Sequence, residues 1–212
     1  MRAILIAGTN SWKPGDPALD WFEPGSAFAR FLESKTDIRP VFGQSKSKPV
    51  VYRPFTWSTD LGGVGFGKGD LRVWMAAGAN LFEYIVPSLC PDARIPSNDL
   101  TLIAHSHGLQ VALFGLALGL KCDTLISIGS PIRKDMADTA KLARPNVRNW
   151  IHVHSDGSDR WQWLGELFDG HLGIVRESPL ADRNDFVPKV GHSELLRDSQ
   201  HFHYWIERGW LR

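Results

Sequence analysis

Ala104-His105-Ser106-His107-Gly108 sets a serine between an apolar run, Leu100–Ala104, and an apolar stretch with helical spacing. At a sharp strand-to-helix turn a serine hydroxyl stands clear of the backbone, beside the next amide and a helix N-terminus. So tight a turn needs small residues two places before and two after the serine, and Ala104 and Gly108 occupy those places. The chemistry this suits is nucleophilic acyl transfer, with Ser106 attacking a carbonyl and the His107 amide meeting the oxyanion. The plainer alternative makes Ser106 only the N-cap of the helix.

A hydroxyl attacks slowly unless a histidine takes its proton and a carboxylate orients that histidine. Val190-Gly191-His192-Ser193-Glu194 holds a histidine in a loop that enters the last helices, and His192 is the expected general base. Of the alternatives, His171 falls in a long excursion, His201 and His203 in a helical C-terminus, and His152 and His154 in a strand, where core histidines are commoner. For the acid, the strand Trp150–His154 runs into Ser155-Asp156-Gly157-Ser158-Asp159. Asp159 is preferred, because Asp156-Gly157 forms a turn ahead of it and the apolar Trp161 follows. Asp156 is the alternative, although it could simply close that turn with its side chain. A second oxyanion donor is expected from Ala7-Gly8-Thr9-Asn10, where Gly8 allows unusual backbone angles. The Thr9 amide is the candidate and Asn10 the fallback. Trp12, Trp57, Trp161 and Trp163 lie in loops expected at the same end and are candidate walls for an acyl chain or aromatic group.

The elements that must position these residues read as short apolar strands alternating with helical stretches. Strands are expected at Ala3–Ala7, Val50–Phe55, Leu100–Ala104, Thr124–Ile128 and Trp150–His154. Helices are expected over Ser26–Glu33, Leu71–Val86, Val111–Leu120, Asp135–Leu142, Glu194–Arg197 and Phe202–Glu207. Alternation of this kind predicts an α/β fold, a mainly parallel sheet with helices on both faces. Asp156 to Val190, rich in Trp, Gly, Pro and Asp, reads as one long excursion. With no internal linker, residues 1–212 are expected to form a single domain. Ligands of open sheets bind beyond the carboxyl ends of the strands, which is where the candidate residues fall. Trp74, Trp150 and Trp205 sit inside regular elements and are expected in the core.

Composition narrows the partners. Of 212 residues 43% are apolar and 22% charged, and the net charge of +1 gives no support for nucleic acid or an anionic membrane. Cys90 and Cys122 lack a CxxC pairing and read as free buried thiols of a reducing compartment. A strand begins almost at Met1 where a signal peptide would need a basic and then apolar region, and no apolar run is long enough to span a membrane. The expectation is a soluble, cytoplasmic protein, with its oligomeric state unspecified.

With these motifs the sequence resembles the α/β-hydrolase superfamily, in particular its small lipase- and esterase-like members. The elbow 104–108 is similar to the AxSxG variant of compact lipases, Ile128-Gly129-Ser130-Pro131 to the Gly-Ser-Pro that ends the following strand, and Gly191-His192-Ser193 to the setting of the catalytic histidine. Phe55-Thr56-Trp57-Ser58, with Arg72 and Ala76-Ala77 later, is also similar to a lipase-like pattern. The resemblance implies a serine esterase with a Ser, Asp, His triad in that chain order. It also implies a small ester or acyl substrate and no cofactor or metal. Two features depart from it: Ala7-Gly8 stands where His-Gly is usual, and the length leaves no room for a large cap domain.

Three rivals remain. Gly62 to Gly69 nearly spells a phosphate-binding loop, but Gly69 stands where Ser or Thr must hold Mg²⁺. The His-x-His pairs 105/107, 152/154 and 201/203 suggest a metal-dependent hydrolase. The third is a hydrolase-like fold used only for binding, which would have no need of Ser, Asp and His together.

Overall fold

The computed structural model describes residues 2–6, 8, 21–23, 25–35, 39–40, 69–89, 100–155 and 177–211. Strands are β1 (Arg2–Ile6), β2 (Arg39–Pro40), β3 (Leu100–His105), β4 (Cys122–Ile128), β5 (Val147–Ser155) and β6 (Arg183–Val187). Helices are α1 (Ala27–Lys35), α2 (Gly69–Leu89), α3 (Gly108–Ala117), α4 (Ala137–Ala143), α5 (Glu194–Arg197) and α6 (His203–Glu207). The strands form one sheet in the order β2-β1-β3-β4-β5-β6, and every pairing is parallel.

Apolar runs make these strands because both faces of a parallel sheet are covered. Every residue of β3 is buried, so its alternate side chains meet protein on either side. Leu100, Leu102 and Ala104 share one face, while Thr101, Ile103 and His105 share the other. Right-handed crossovers assign the helices: the chain steps outward from β1 to β2 and in the opposite sense from β3 to β6, so α1 lies opposite α2, α3 and α4. On the α1 face the aromatic rings of Phe28, Phe31, Phe202 and Trp205 pack at centroid distances of 4.8 to 6.0 Å. Trp74, Trp150 and Trp205 are buried, as their places in regular elements predict.

Two corrections concern strands. The stretch expected as one excursion, Asp156 to Val190, contains β6, which continues the sheet beside β5. Its sequence Arg183-Asn184-Asp185-Phe186-Val187 lacks an apolar run because its polar side chains find partners of their own. The Arg183 guanidinium binds the Asp185 carboxylate, and Asn184 exchanges hydrogen bonds with the Ser178 backbone at 2.8 and 3.1 Å. β2, two residues ending in a proline, is likewise a strand no pattern announces. The expected strand Val50–Phe55 lies outside the described residues. α3 opens at Gly108, directly after the candidate serine turn as the motif requires, and ends at Ala117, short of the expected Leu120.

Candidate active site

β1 and β3 are neighbours whose onward connections run toward opposite edges of the sheet, the place where open α/β sheets bind their ligands. Ser106 follows β3 at this point. The residue has φ of 53°, a left-handed conformation that a non-glycine residue adopts at a cost of roughly 1–2 kcal/mol. The surroundings enforce it. The Ser106 amide donates to the Ile128 carbonyl at 3.0 Å, which ties the turn to β4. The Leu109 amide donates to the Ser106 carbonyl at 3.2 Å, so α3 begins at once. Ala104 and Gly108 are both buried. The capping position of α3 is His107 rather than Ser106. The His107 ring stacks on Trp74 of α2 at 5.1 Å. On the same indole, 4.8 Å from its centroid, stands the Arg133 guanidinium, which Asp135 grips through two hydrogen bonds of 3.0 and 2.9 Å.

Gly8, past the end of β1, lies against the serine. A Cβ there would fall 2.6 Å from Ser106 Cβ and 2.9 Å from the His105 carbonyl oxygen. Glycine is therefore required by close approach; the unusual backbone angles expected of Gly8 are not found, since its φ lies outside the left-handed region. Thr9 and Asn10, the candidate oxyanion residues that follow, lie outside the described residues.

His192 arrives from the loop after β6. Its imidazole lies over Gly129, where an added Cβ would be 3.2 Å from His192 Nδ1. Gly129 itself has φ of 54°, so this turn beyond β4 excludes side chains for two reasons. The His192 ring is 4.6 Å from the ring of His105, the residue immediately before Ser106. Behind it the Gly191 amide donates to Glu194 Oε2 at 2.8 Å, closing the loop onto α5. The structure thus gathers Gly8, His105, Ser106, Gly129 and His192 from four segments at one end of the sheet.

His105 is buried, with Nε2 3.0 Å from the His192 carbonyl oxygen. A carbonyl can only accept, so Nε2 carries the proton and Nδ1 the lone pair. Burial pushes its pKa well below 6.5, and the neighbouring His192, Arg197 and His107 push the same way, against the raising effect of its bond to the His192 carbonyl. In the sequence it passes as a neighbour of the candidate nucleophile; its contact with His192 joins residues 87 apart.

The other candidates divide. Asp156, Asp159, Trp12, Trp57, Trp161, Trp163 and His171 lie outside the described residues, as do Cys90 and most of the glycine stretch 62–69. His152 is a core residue: its Nδ1 lies 2.8 Å from Ser127 Oγ, which also accepts from Trp150 Nε1 at 2.9 Å. His201 Nε2 is 3.6 Å from Glu194 Oε2, the oxygen that also accepts from the Gly191 amide. The rings of His105 and His107 turn apart, toward His192 and Trp74 respectively. Among the described residues no three His, Cys, Asp or Glu side chains are grouped so as to hold a metal. Cys122 is buried, and burial pushes its thiol far above the usual range, which makes it inert. An apolar cavity of about 260 Å³ opens between α3, α4 and residues 177–180, lined by Leu109, Leu113, Ile132, Met136, Trp150 and Leu180 among others. Neither Ser106 nor His192 lines it.

No family model matches the chain, and no curated protein matches it. Among solved structures it is similar to one described as the crystal structure of esterase PE8, with 14% sequence identity and a TM-score of 0.48 over 98% of this chain and 91% of that one. Among the described residues no helix is long and apolar enough to cross a membrane.

Proposed function

We propose that this chain is a serine hydrolase that cleaves carboxyl esters through an acyl-enzyme on Ser106. The observation that carries the reading is the left-handed Ser106, at a strand-to-helix turn beyond the carboxyl end of β3, where the connections of β1 and β3 diverge. Backbone strain on a polar, nucleophilic side chain at a ligand-binding crevice is characteristic of functional sites. His192, whose ring lies against the residue before Ser106, is the base.

In the first half-reaction Ser106 Oγ bonds to the ester carbonyl carbon while His192 takes its proton. The tetrahedral oxyanion is met by the amides of His107 and Thr9, aided by the N-terminus of α3. Collapse breaks the ester bond, and the imidazolium returns the proton to the departing alcohol. Water then attacks the acyl-enzyme by the same route and releases the acid and free Ser106. Asp159, or alternatively Asp156, holds the imidazole; both follow β5, the strand beside the one that delivers His192. Trp12, Trp57, Trp161 and Trp163 furnish apolar walls for a small acyl or aryl group.

A fluorophosphonate probe with mass spectrometry, run beside a panel of aryl esters, tests this. The expected result is an adduct on Ser106 and loss of turnover in Ser106→Ala; turnover retained by that variant overturns the reading. Asp156→Asn and Asp159→Asn choose the acid, since the true partner loses roughly four orders of magnitude in kcat and the other little.

A further inference from the structure

We propose that His105 is the positioning residue for the general base, a strut that fixes the backbone of His192 relative to Ser106. The proposal rests on the hydrolase reading of Ser106. A histidine at the end of β3 needs a reason, because its face is otherwise built from Thr101 and Ile103 and packs on aromatic rings, Trp21 among them at 6.1 Å. Burying an imidazole is costly unless its nitrogens are used. One nitrogen is used: Nε2–H donates to the His192 carbonyl at 3.0 Å and also lies 3.4 Å from Ser193 Oγ. The same side chain therefore meets the backbone of the base and the hydroxyl of the residue after it.

The other nitrogen faces Gly8. Nδ1 is buried, has no hydrogen-bond partner among the described residues, and lies 3.3 Å from where a Gly8 Cβ would be. His105 thus stands between the two loops that serve Ser106, the one carrying the base and the one beginning at Gly8. It acts as the neutral imidazole. The charged and titratable groups that face it are His192 on its loop, Arg197 on α5 and His107 at the start of α3, and together with burial they disfavour a second proton.

The strut matters because it ties the base to β3. His192 sits five residues beyond the last residue of β6, in a loop without a ladder of its own. A general base must reach the hydroxyl within roughly 2.6–3.2 Å, and a misplacement of about 1 Å costs on the order of 100-fold in rate. A bond that fixes the carbonyl of the base residue fixes the origin of its side chain.

The test uses three variants of the full chain. His105→Leu keeps bulk and removes the donor. His105→Gln places an amide nitrogen where Nε2 was. His105→Asn keeps an amide but stops it near Nδ1, short of the carbonyl. Steady-state hydrolysis of an aryl ester and the rate of fluorophosphonate labelling are measured for each, with melting temperature alongside. Expected is a drop in kcat of ~10–100-fold in His105→Leu with KM little changed, the same drop in His105→Asn, and recovery to within about threefold of wild type in His105→Gln. Wild-type kcat in His105→Leu, or equal kcat in the Gln and Asn variants, overturns the proposal. Should His105→Leu fail to fold, the Gln and Asn pair decides. Failure of the underlying reading looks different: the wild type then takes no adduct on Ser106, whereas failure of the strut alone leaves the adduct and the Ser106→Ala loss in place.

Discussion

Replacing Gly8 by alanine perturbs the site at its narrowest point. The added methyl would sit 2.6 Å from Ser106 Cβ and 2.9 Å from the His105 carbonyl oxygen. Carbon atoms in contact rest at about 3.5–4.0 Å, so the end of β1 and the serine turn must part by roughly 1 Å. No rotamer change relieves this, because one contact is a Cβ and the other is backbone. Nor does the sheet yield easily: Ile6 is in register with Ala104, and both are completely buried. Overpacking of this kind costs about 1–3 kcal/mol, which for a chain of this size lowers the melting temperature by roughly 2–12 °C. The catalytic loss should be larger in relative terms, on the order of 100-fold in kcat/KM, or about 2.7 kcal/mol of transition-state stabilisation. Aryl-ester kinetics and fluorophosphonate labelling rates, paired with calorimetry, measure both. Gly8→Ala turning over within about threefold of wild type would refute the reasoning that this contact sets the geometry of Ser106.

Two further outcomes follow from the same geometry. Ser106→Gly and Ser106→Ala should both be inactive, yet Ser106→Gly should be the more stable by about 1 kcal/mol in urea titrations, because φ of 53° suits glycine and strains alanine; equal stabilities would mean that the turn is unstrained. The lowered pKa of His105 makes folding pH-dependent. Its contribution is fully present above the unfolded value near 6.5 and is lost as pH falls toward the folded value, at up to ~1.4 kcal/mol per pH unit, since only the unfolded chain takes up the proton. Between pH 7.5 and 5, wild type should lose more stability than His105→Gln, the other histidines cancelling in the comparison; parallel curves would contradict a neutral, buried His105.

Much of the fold is legible in the sequence because burial writes itself as apolar pattern. Leu100 to Ala104 announces β3, Glu194–Arg197 is a helix as its spacing predicts, and Trp74, Trp150 and Trp205 are core. β6 is illegible for an equally physical reason. It is an outer strand of the sheet, and Arg183 and Asp185 satisfy each other on it, helped by Trp210 Nε1–H, which donates to the same carboxylate. A polar strand whose side chains pair with one another and with Ser178 and Trp210 has no apolar period to read. Ser106 is legible because its motif is local: strand, small residue, serine, glycine and helix are contiguous. The place of His105 is not, since neither its bond to the His192 carbonyl nor its nearness to Gly8 leaves a trace in spacing.

The bond from His105 to a carbonyl 87 residues later also orders events during synthesis. β1, β3 and β4, which frame Ser106, are all made before β6, and His192 comes later still. A chain emerging from the ribosome at ~5–20 residues per second therefore makes β3 and β4 several seconds before His192. On the reading proposed above, the nucleophile exists through that interval without its proton acceptor. The site can assemble only once β6 and the loop after it have joined the sheet, and the same docking gives His105 Nε2–H its acceptor.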